Sequence, residues 1–194
     1  MKEIVLDTET TGISIKDGHR IVEIGCIELD NLVPTKNKFH CYLNPERKVS
    51  EEALKIHGYD DDFLSNQKKF GEIGEEFLEF IKDKRLIIHN AEFDLLHLNN
   101  ELQLFGKENI KNEIIDTLDL ARNKFPGSQA SLDALCKRFR IDNSRRTKHT
   151  ALIDCELLTK VYINLIDQKE PRLNFSNKEN IINNENFKQE IEYS

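Results

Sequence analysis

Apolar and polar residues alternate over short distances in the first third of the chain, which predicts β-strands. Residues 4–6 form a short run without polar side chains, a pattern typical of a buried strand. Residues 20–29 and 38–43 carry apolar side chains with some alternation, and Asp30-Asn31 between them predicts a turn. We therefore expect a three-stranded antiparallel meander that ends at Asn44-Pro45.

From Ser50 onward, apolar residues recur every three or four positions, which predicts amphipathic helices. Ser50, Ser131 and Thr150 stand where their side-chain oxygens can cap three of these helices. Short apolar runs at 86–88 and 114–115 predict two more strands between the helices. A meander followed by strands that alternate with helices predicts an α/β fold, with a mixed five-stranded sheet flanked by helices.

The periodic pattern ends near Asp167. We expect one folded domain over residues 1–167, which is an ordinary domain length. Residues 168–194 include six asparagines and little apolar periodicity, so we expect a flexible C-terminal tail there.

Composition narrows the class of protein. Hydrophobic residues make up 38% and charged residues 32%, which is typical of a globular protein with a modest core. No apolar run is long enough for a membrane span, and the first residues lack the layout of a secretion signal. We therefore expect a cytoplasmic protein without a membrane partner. The cysteines are scattered and form no CxxC pair, so we expect reduced, buried thiols: Cys26, Cys41, Cys136 and Cys155.

The net charge of −7 argues against a protein that binds duplex nucleic acid tightly, since such proteins neutralise phosphates with Lys and Arg. The charge is compatible with an enzyme that holds divalent cations among carboxylates, because the metals supply positive charge that the sequence count omits.

Two carboxylates stand at the end of the first predicted strand. Asp7 and Glu9 are two residues apart, so on an extended segment they point to the same side. Two adjacent carboxylates repel each other at neutral pH, and oxygen ligands of this kind suit Mg²⁺ or Mn²⁺. For this pair alone, a solvent-exposed strand end that carries acidic residues by accident is the favoured interpretation.

Two further acids stand at predicted helix starts. Asp94 follows the strand at 86–88 and lies in the first turn of a helix that Asn90 can cap, near the sheet edge where α/β proteins bind ligands. Asp154 lies among apolar residues near the start of the last helix, and His149 precedes it by five residues. Singly, these residues are typical of helix termini and surfaces.

Together, the four acids and the histidine predict phosphodiester hydrolysis. Two cations can activate a water and stabilise the leaving oxygen. We expect Asp7 to bridge both cations, Glu9 and Asp154 to complete the first site, and Asp94 to fix the second. His149, with an ordinary pKa of about 6.5, can accept the proton of the attacking water.

Three segments resemble the motifs of the DEDDh exonucleases: residues 7–12 (DTETTG), residues 89–94 (HNAEFD), and His149 with Asp154. The resemblance implies a ribonuclease H-like fold and removal of nucleotides from 3′ ends. Further segments resemble the proofreading epsilon-subunit family of bacterial DNA polymerase III, and the similarity spans residues 1–166. They are residues 19–26, 43–47, 57–58, 125–127 and 131–136, with Arg138-Phe139.

The resemblance also implies substrate contacts. Thr8 and Thr10 are expected to meet the terminal nucleotide, Glu52 and His57 the substrate end, and Phe93 the bases. The full set of expected substrate-binding residues is Asp7, Thr8, Glu9, Thr10, Glu52, His57, Phe93 and Asp154. His89 is expected to be structural and buried beside the sheet.

The implied cofactors are two divalent cations, Mg²⁺ or Mn²⁺, and the implied products are nucleoside 5′-monophosphates. The implied partners are single-stranded DNA 3′ ends and the DNA polymerase III alpha subunit. Leu173-Asn174-Phe175 resembles part of a sliding-clamp peptide, which adds the clamp as a further expected partner.

Two other hypotheses stay open. One is an RNA-trimming exoribonuclease of the DEDDh family, against which the segments similar to epsilon subunits argue. The other is a non-catalytic module that only braces a polymerase, against which the complete set of four acids and His149 argues.

Overall fold

The computed structural model describes residues 2–167, and a mixed five-stranded sheet forms its centre. The strands are β1 (Lys2–Thr10), β2 (Ile21–Asp30), β3 (Val33–Tyr42), β4 (Arg85–Ile88) and β5 (Ile114–Asp116). Their order across the sheet is β3-β2-β1-β4-β5. The first three strands pair antiparallel, and β4 and β5 add in parallel to β1. The predicted meander and the predicted α/β class are confirmed.

The helices are α1 (Glu51–His57), α2 (Asp61–Ser65), α3 (Phe70–Ile81), α4 (Ala91–Leu104), α5 (Thr117–Lys124), α6 (Leu132–Phe139) and α7 (Ala151–Asp167), with a short 3₁₀ helix at Ile15–Asp17. Ser50 and Ser131 accept the predicted capping hydrogen bonds, each over 3.2 Å, and Thr150 accepts a longer one of 3.4 Å. Among the described residues, no helix is long and apolar enough to cross a membrane. The predicted tail, with Leu173-Asn174-Phe175, lies outside the described residues.

Two strands and one helix differ clearly from the sequence prediction. Strand β1 runs on to Thr10, because β2 pairs with it as far as its last residue. Strand β3 begins at Val33 and not at residue 38, because its first half is an exposed edge without apolar alternation. Helix α2 was not predicted, since it spans five residues and buries only Leu64.

The sheet separates two apolar cores, and alternation along β1 assigns its side chains to them. Ile4 and Leu6 face a core completed by α3 and α4. Val5 faces the other core, which α5, α6 and α7 complete. All three side chains are fully buried. Strand β1 is therefore the central strand against which both helical layers are positioned.

The start of α7 lies directly on β2. Gly25 makes this possible, because a Cβ at this position would lie 2.7 Å from the backbone carbon of Ala151 and 2.8 Å from the backbone nitrogen of Leu152. The buried Glu23 accepts a 2.9 Å hydrogen bond from the Ala151 backbone nitrogen. A carboxylate at a helix N-terminus is favourable with the helix dipole. Gly25 and Glu23 together fix the helix that carries Asp154.

We expect Gly25→Ala to lower the free energy of unfolding by about 1–3 kcal/mol, because the added methyl group overlaps backbone atoms that cannot rotate away. Urea denaturation measures the change. Gly71→Ala is the matched control, since a Cβ there would meet only Phe105, at 3.4 Å, and alanine favours the helix. Equal stability of the two variants would contradict this account of how α7 is placed.

Candidate active site

Four carboxylates and two histidines, His89 among them, line a single cavity of about 310 Å³ beside the carboxyl ends of β1 and β4, and five of these residues form the candidate site. They are the five residues that the sequence predicts as catalytic: Asp7, Glu9, Asp94, His149 and Asp154. They come from β1, the first turn of α4, the loop before α7, and α7 itself. The fold therefore brings together side chains that lie far apart along the chain.

The alternation of β1 divides its polar residues between the two faces of the sheet. Asp7 and Glu9 continue the series of Val5 toward α7, where Asp154 lies. Thr8 points to the opposite face, where its backbone nitrogen and its hydroxyl donate to Asp94 Oδ1 over 3.0 and 2.7 Å. Thr8 thus orients a predicted metal ligand, although the resemblance implied a direct substrate contact.

Burial and neighbouring acids raise the pKa values of three carboxyl groups. Burial raises the pKa of Asp7 well above its usual range, and the charges of Asp94 and Glu9 add to this. Burial, followed by the charges of Asp154 and Glu23, raises the pKa of Glu9 to about 8. Burial also raises the pKa of Asp94 to about 7, against the opposing hydrogen bonds from Thr8. The cavity therefore favours either protons or cations beside these groups.

One group of side chains in the cavity can hold a metal ion. Potential ligand atoms of Glu9, His149 and Asp154 all lie within 4.8 Å of one another. Two of the three ligands are carboxylates, which suit Mg²⁺ and Mn²⁺, and the adjacent Asp7 adds a further oxygen donor. The residues present therefore fit a divalent cation.

Arg146 is a site residue that the sequence analysis missed. Its buried guanidinium forms two hydrogen bonds to Asp154, of 2.6 and 2.7 Å, and one of 2.8 Å to Asp133. In the sequence it lies within Arg145-Arg146-Thr147-Lys148, a basic run without periodicity that is typical of an exposed loop. Its position three residues before His149 was the only available sign of its role.

Arg146 also sets the state of His149. Its Nη2 lies 2.9 Å from His149 Nδ1, and because a guanidinium can only donate, the histidine nitrogen accepts and the ring is neutral. Burial, followed by the charge of Arg146, lowers the pKa of His149 below its usual value. The ring is half-exposed, so water can reach it.

A second cavity of about 380 Å³ adjoins the first and shares Glu9 and Phe93 with it. We call it the base pocket. It contains four of the predicted substrate residues in addition to Glu9: Thr10, Glu52, His57 and Phe93. It also contains Ile13 and Ile56, which are 83% and 47% exposed and were not predicted. Exposed apolar side chains around a cavity are suited to contact with a flat aromatic ligand.

His57 is a buried residue that fixes the wall of the base pocket. Its Nε2 lies 3.2 Å from the carbonyl oxygen of Thr10, and its Nδ1 accepts a hydrogen bond from the Tyr59 backbone nitrogen over 3.0 Å. The Thr10 hydroxyl donates to the carbonyl oxygen of Gly12 over 2.7 Å. Glu52 is exposed on α1. Of these residues, Glu52 is therefore the freest to meet a ligand.

Two predictions about the segment before α4 were wrong. Asn90 does not cap α4 with its side chain, because Asp116 accepts hydrogen bonds from the backbone nitrogens of Asn90 and Ala91, over 3.0 and 2.8 Å. His89 is only partly buried: it lies 2.9 Å from the Thr117 hydroxyl and lines the catalytic cavity.

Comparisons with known proteins agree with this arrangement. The family model described as Exonuclease matches residues 4–162. The DNA polymerase III subunit epsilon of Rickettsia typhi is 50% identical over 188 residues, which cover 95% of this chain and 82% of that protein. The subunit epsilon of Escherichia coli is 44% identical over 170 residues, which cover 84% and 70%.

A solved structure, the nuclease domain of 3′hExo, a DEDDh family member, bound to rAMP, superposes with a TM-score of 0.74 at 19% identity. The match covers 84% of this chain and 90% of that one. This likeness shows the fold. The predicted ribonuclease H-like fold, the predicted family and the predicted 3′–5′ exonuclease function are confirmed at the level of family membership. The chain belongs to the exonuclease family and, within it, to the epsilon subunits of DNA polymerase III.

Proposed function

We propose that this exonuclease removes the 3′-terminal nucleotide of a DNA strand by two-metal-ion hydrolysis and releases a nucleoside 5′-monophosphate, as the proofreading subunit of a bacterial DNA polymerase III. The observation that carries the proposal is that four carboxylates and a neutral histidine line one cavity, with a base pocket beside it.

Each acid has a distinct place around the proposed cations. Asp7 has no hydrogen-bond donor among the described residues, and it would contact both cations. Glu9 and Asp154 would complete the first site, and Asp94, held by Thr8, would fix the second. When bound, such a cation pair lowers the pKa of a water and stabilises the charge of the leaving oxygen.

His149 supplies the proton acceptor. A neutral ring whose Nδ1 accepts from Arg146 carries its own proton on Nε2, so Nδ1 would be the nitrogen that takes the proton of the water, in place of the Arg146 contact. The half-exposed position of the ring lets a water approach it. A general base whose pKa lies slightly below the working pH is mostly unprotonated, and it is still basic enough to accept a proton from the water.

The base pocket would receive the terminal base. Ile13 and Ile56 present apolar surface there, and Phe93 lies between this pocket and the acids. Stacking on Phe93 and apolar contact with the two isoleucines would tolerate every base, because neither reads the hydrogen-bonding edge of the base. A mismatched end reaches the pocket more easily, because less pairing must be broken, and this would give the preference that proofreading requires.

DNA and the polymerase are the proposed partners because the similar proteins of Rickettsia typhi and Escherichia coli are named DNA polymerase III subunit epsilon. The alpha subunit and the sliding clamp remain proposed partners, based only on the resemblance of the sequence. The RNA-trimming hypothesis gains no support from the rAMP-bound neighbour, which shares only the fold.

The direct test is digestion of a 5′-labelled primer–template. We expect one-nucleotide shortening in Mg²⁺ or Mn²⁺, at least about tenfold faster from a mismatched end, and none in EDTA. RNA of equal length is expected to be cleaved more slowly, and faster cleavage of RNA would overturn the choice of DNA. A wild-type protein that degrades nothing with either metal would support the non-catalytic module.

Asp7→Asn is the inactive control for the primer assay, with an expected loss of activity of about 10³-fold or more.

The raised pKa values of the carboxyl groups in the folded protein mean that the folded protein holds protons more tightly than the unfolded one. In EDTA, wild-type stability should therefore fall as pH rises from about 4 through about 8, the pKa of Glu9. Asp7→Asn should have the higher Tm at pH 8 in EDTA, which thermal unfolding measures. A lower Tm would contradict the repulsion account.

We expect His149→Ala to reduce kcat by about 10²–10⁴-fold, with binding of a DNA oligonucleotide little changed, because the base acts in the transition state. In the wild type, activity should decline at a pH below the ordinary histidine pKa, and this acid limb should vanish in the variant. A comparable loss of binding and turnover would exclude the proposed role.

We expect Arg146→Gln to destabilise the metal-free protein by about 3–5 kcal/mol, since it leaves the buried Asp154 carboxylate unpaired. Mn²⁺ should restore much of the loss, so its addition should raise Tm more in the variant than in the wild type. Arg145→Gln is the matched control, because Arg145 is 81% exposed and lies 3.9 Å from Glu156. If Mn²⁺ raised both Tm values equally, Arg146 would be structural only.

A further inference from the structure

We propose that the phosphates of the nucleotides upstream of the scissile bond bind in a third cavity, with Arg122 as a direct phosphate contact. This cavity, which we call the basic groove, has a volume of about 610 Å³. Its polar lining includes His89, Asn90, Arg122, Ser128, Ser131 and Arg146. The inference rests on the proposed function and specifies how its substrate is held.

The distribution of charge along the chain supports this occupant. The chain has a net charge of −7, yet residues 120–150 contain eight basic residues and two aspartates. The basic residues are Arg122, Lys124, Lys137, Arg138, Arg140, Arg145, Arg146 and Lys148. Two of these basic residues line the basic groove: Arg122 on α5 and Arg146 on the loop before α7. A phosphate that entered the groove would lie close to positive charge.

The charged side chains that line the groove differ in whether they already have a partner. Asp133 lies in the groove, but its carboxylate accepts hydrogen bonds from Arg146 over 2.8 Å and from Asn143 over 2.9 Å. Arg122 is exposed and has no hydrogen bond or ion pair within residues 2–167. Among the described lining residues, Asp133 therefore shares the charge of Arg146 with Asp154, whereas Arg122 is left free for a phosphate.

The connections between the cavities give the path of the strand. The base pocket meets the catalytic cavity at Glu9 and Phe93, and the basic groove meets it at other residues, among them His89 and His149. Release of a 5′-monophosphate requires the scissile phosphate to lie between the departing nucleoside and the upstream O3′. With the terminal base in the base pocket, the rest of the strand must leave the catalytic cavity through a different opening. The basic groove adjoins the catalytic cavity and has a polar lining that suits phosphates.

The experiment separates binding from cleavage by using the Asp7→Asn background in Mg²⁺. Fluorescence anisotropy measures the Kd of a 12-nucleotide oligothymidylate at several salt concentrations. Adding Arg122→Gln should raise Kd about three- to tenfold and reduce the magnitude of the salt slope by about 0.7, the value of one single-strand phosphate contact. Lys36→Gln is the matched control: it removes the same charge from β3, at the opposite edge of the sheet from β5 and α5.

Two further arms identify the contact as an upstream phosphate. Binding of a dinucleotide, which has only the scissile phosphate, should not change with Arg122→Gln. A 12-mer whose upstream linkages are uncharged methylphosphonates should bind equally to both proteins. If Arg122→Gln and Lys36→Gln weaken the 12-mer equally, the proposal is overturned. Because these arms need no turnover, a failure of the exonuclease proposal in the primer assay would be seen separately.

Discussion

Mutual repulsion among four carboxylates in one cavity is the constraint on which the rest of this site depends. Asp94 accepts two hydrogen bonds from Thr8, and Asp154 pairs with a guanidinium. Asp7 and Glu9 have no comparable hydrogen bonds among the described residues, and burial with neighbouring charge raises their pKa values. The carboxyl groups of β1 are therefore the ones that hold protons most tightly, and a cation that replaced those protons would relieve the repulsion there. The two outer acids, Asp94 and Asp154, have protein partners, and the two acids on β1 are left available to a metal ion.

Such a site needs a rigid scaffold, because repelling groups separate wherever the backbone allows it. Strand β1 is the central strand of the sheet, and its apolar residues are fully buried on both faces. Helix α7 cannot move away from it easily, since its first residues touch β2 at Gly25 and its Ala151 nitrogen is held by Glu23. The proposed proton acceptor is different: His149 lies on the loop before α7. The proposed metal ligands are thus placed by regular elements, and the proposed base by a loop residue that Arg146 contacts.

The parts of the structure that depend on short-range pattern were predictable, and those that depend on distant partners were not. Alternation placed Asp7 and Glu9 on one side of a strand, and periodicity placed Asp154 on a packed helix. The function of Arg146 was invisible, because a basic residue in a polar loop has the same local pattern whether it faces water or a buried carboxylate. The sequence favours Asn90 as a cap for a related reason: Asp116, which accepts the hydrogen bonds from the Asn90 and Ala91 backbone nitrogens, lies on the next strand.

The acidic composition follows from this design. The proposed cations and the basic groove would supply positive charge where the strand lies, while the chain as a whole has a net charge of −7, which disfavours other contacts with nucleic acid. A uniformly basic surface would bind duplex DNA tightly. It would therefore slow the release of the DNA, which proofreading requires after each cut. Local cations instead make binding conditional on a frayed 3′ end that reaches the acids. The net charge of −7 would thus add to the proposed selectivity for unpaired ends, because a fully paired duplex would gain too few contacts to offset the repulsion.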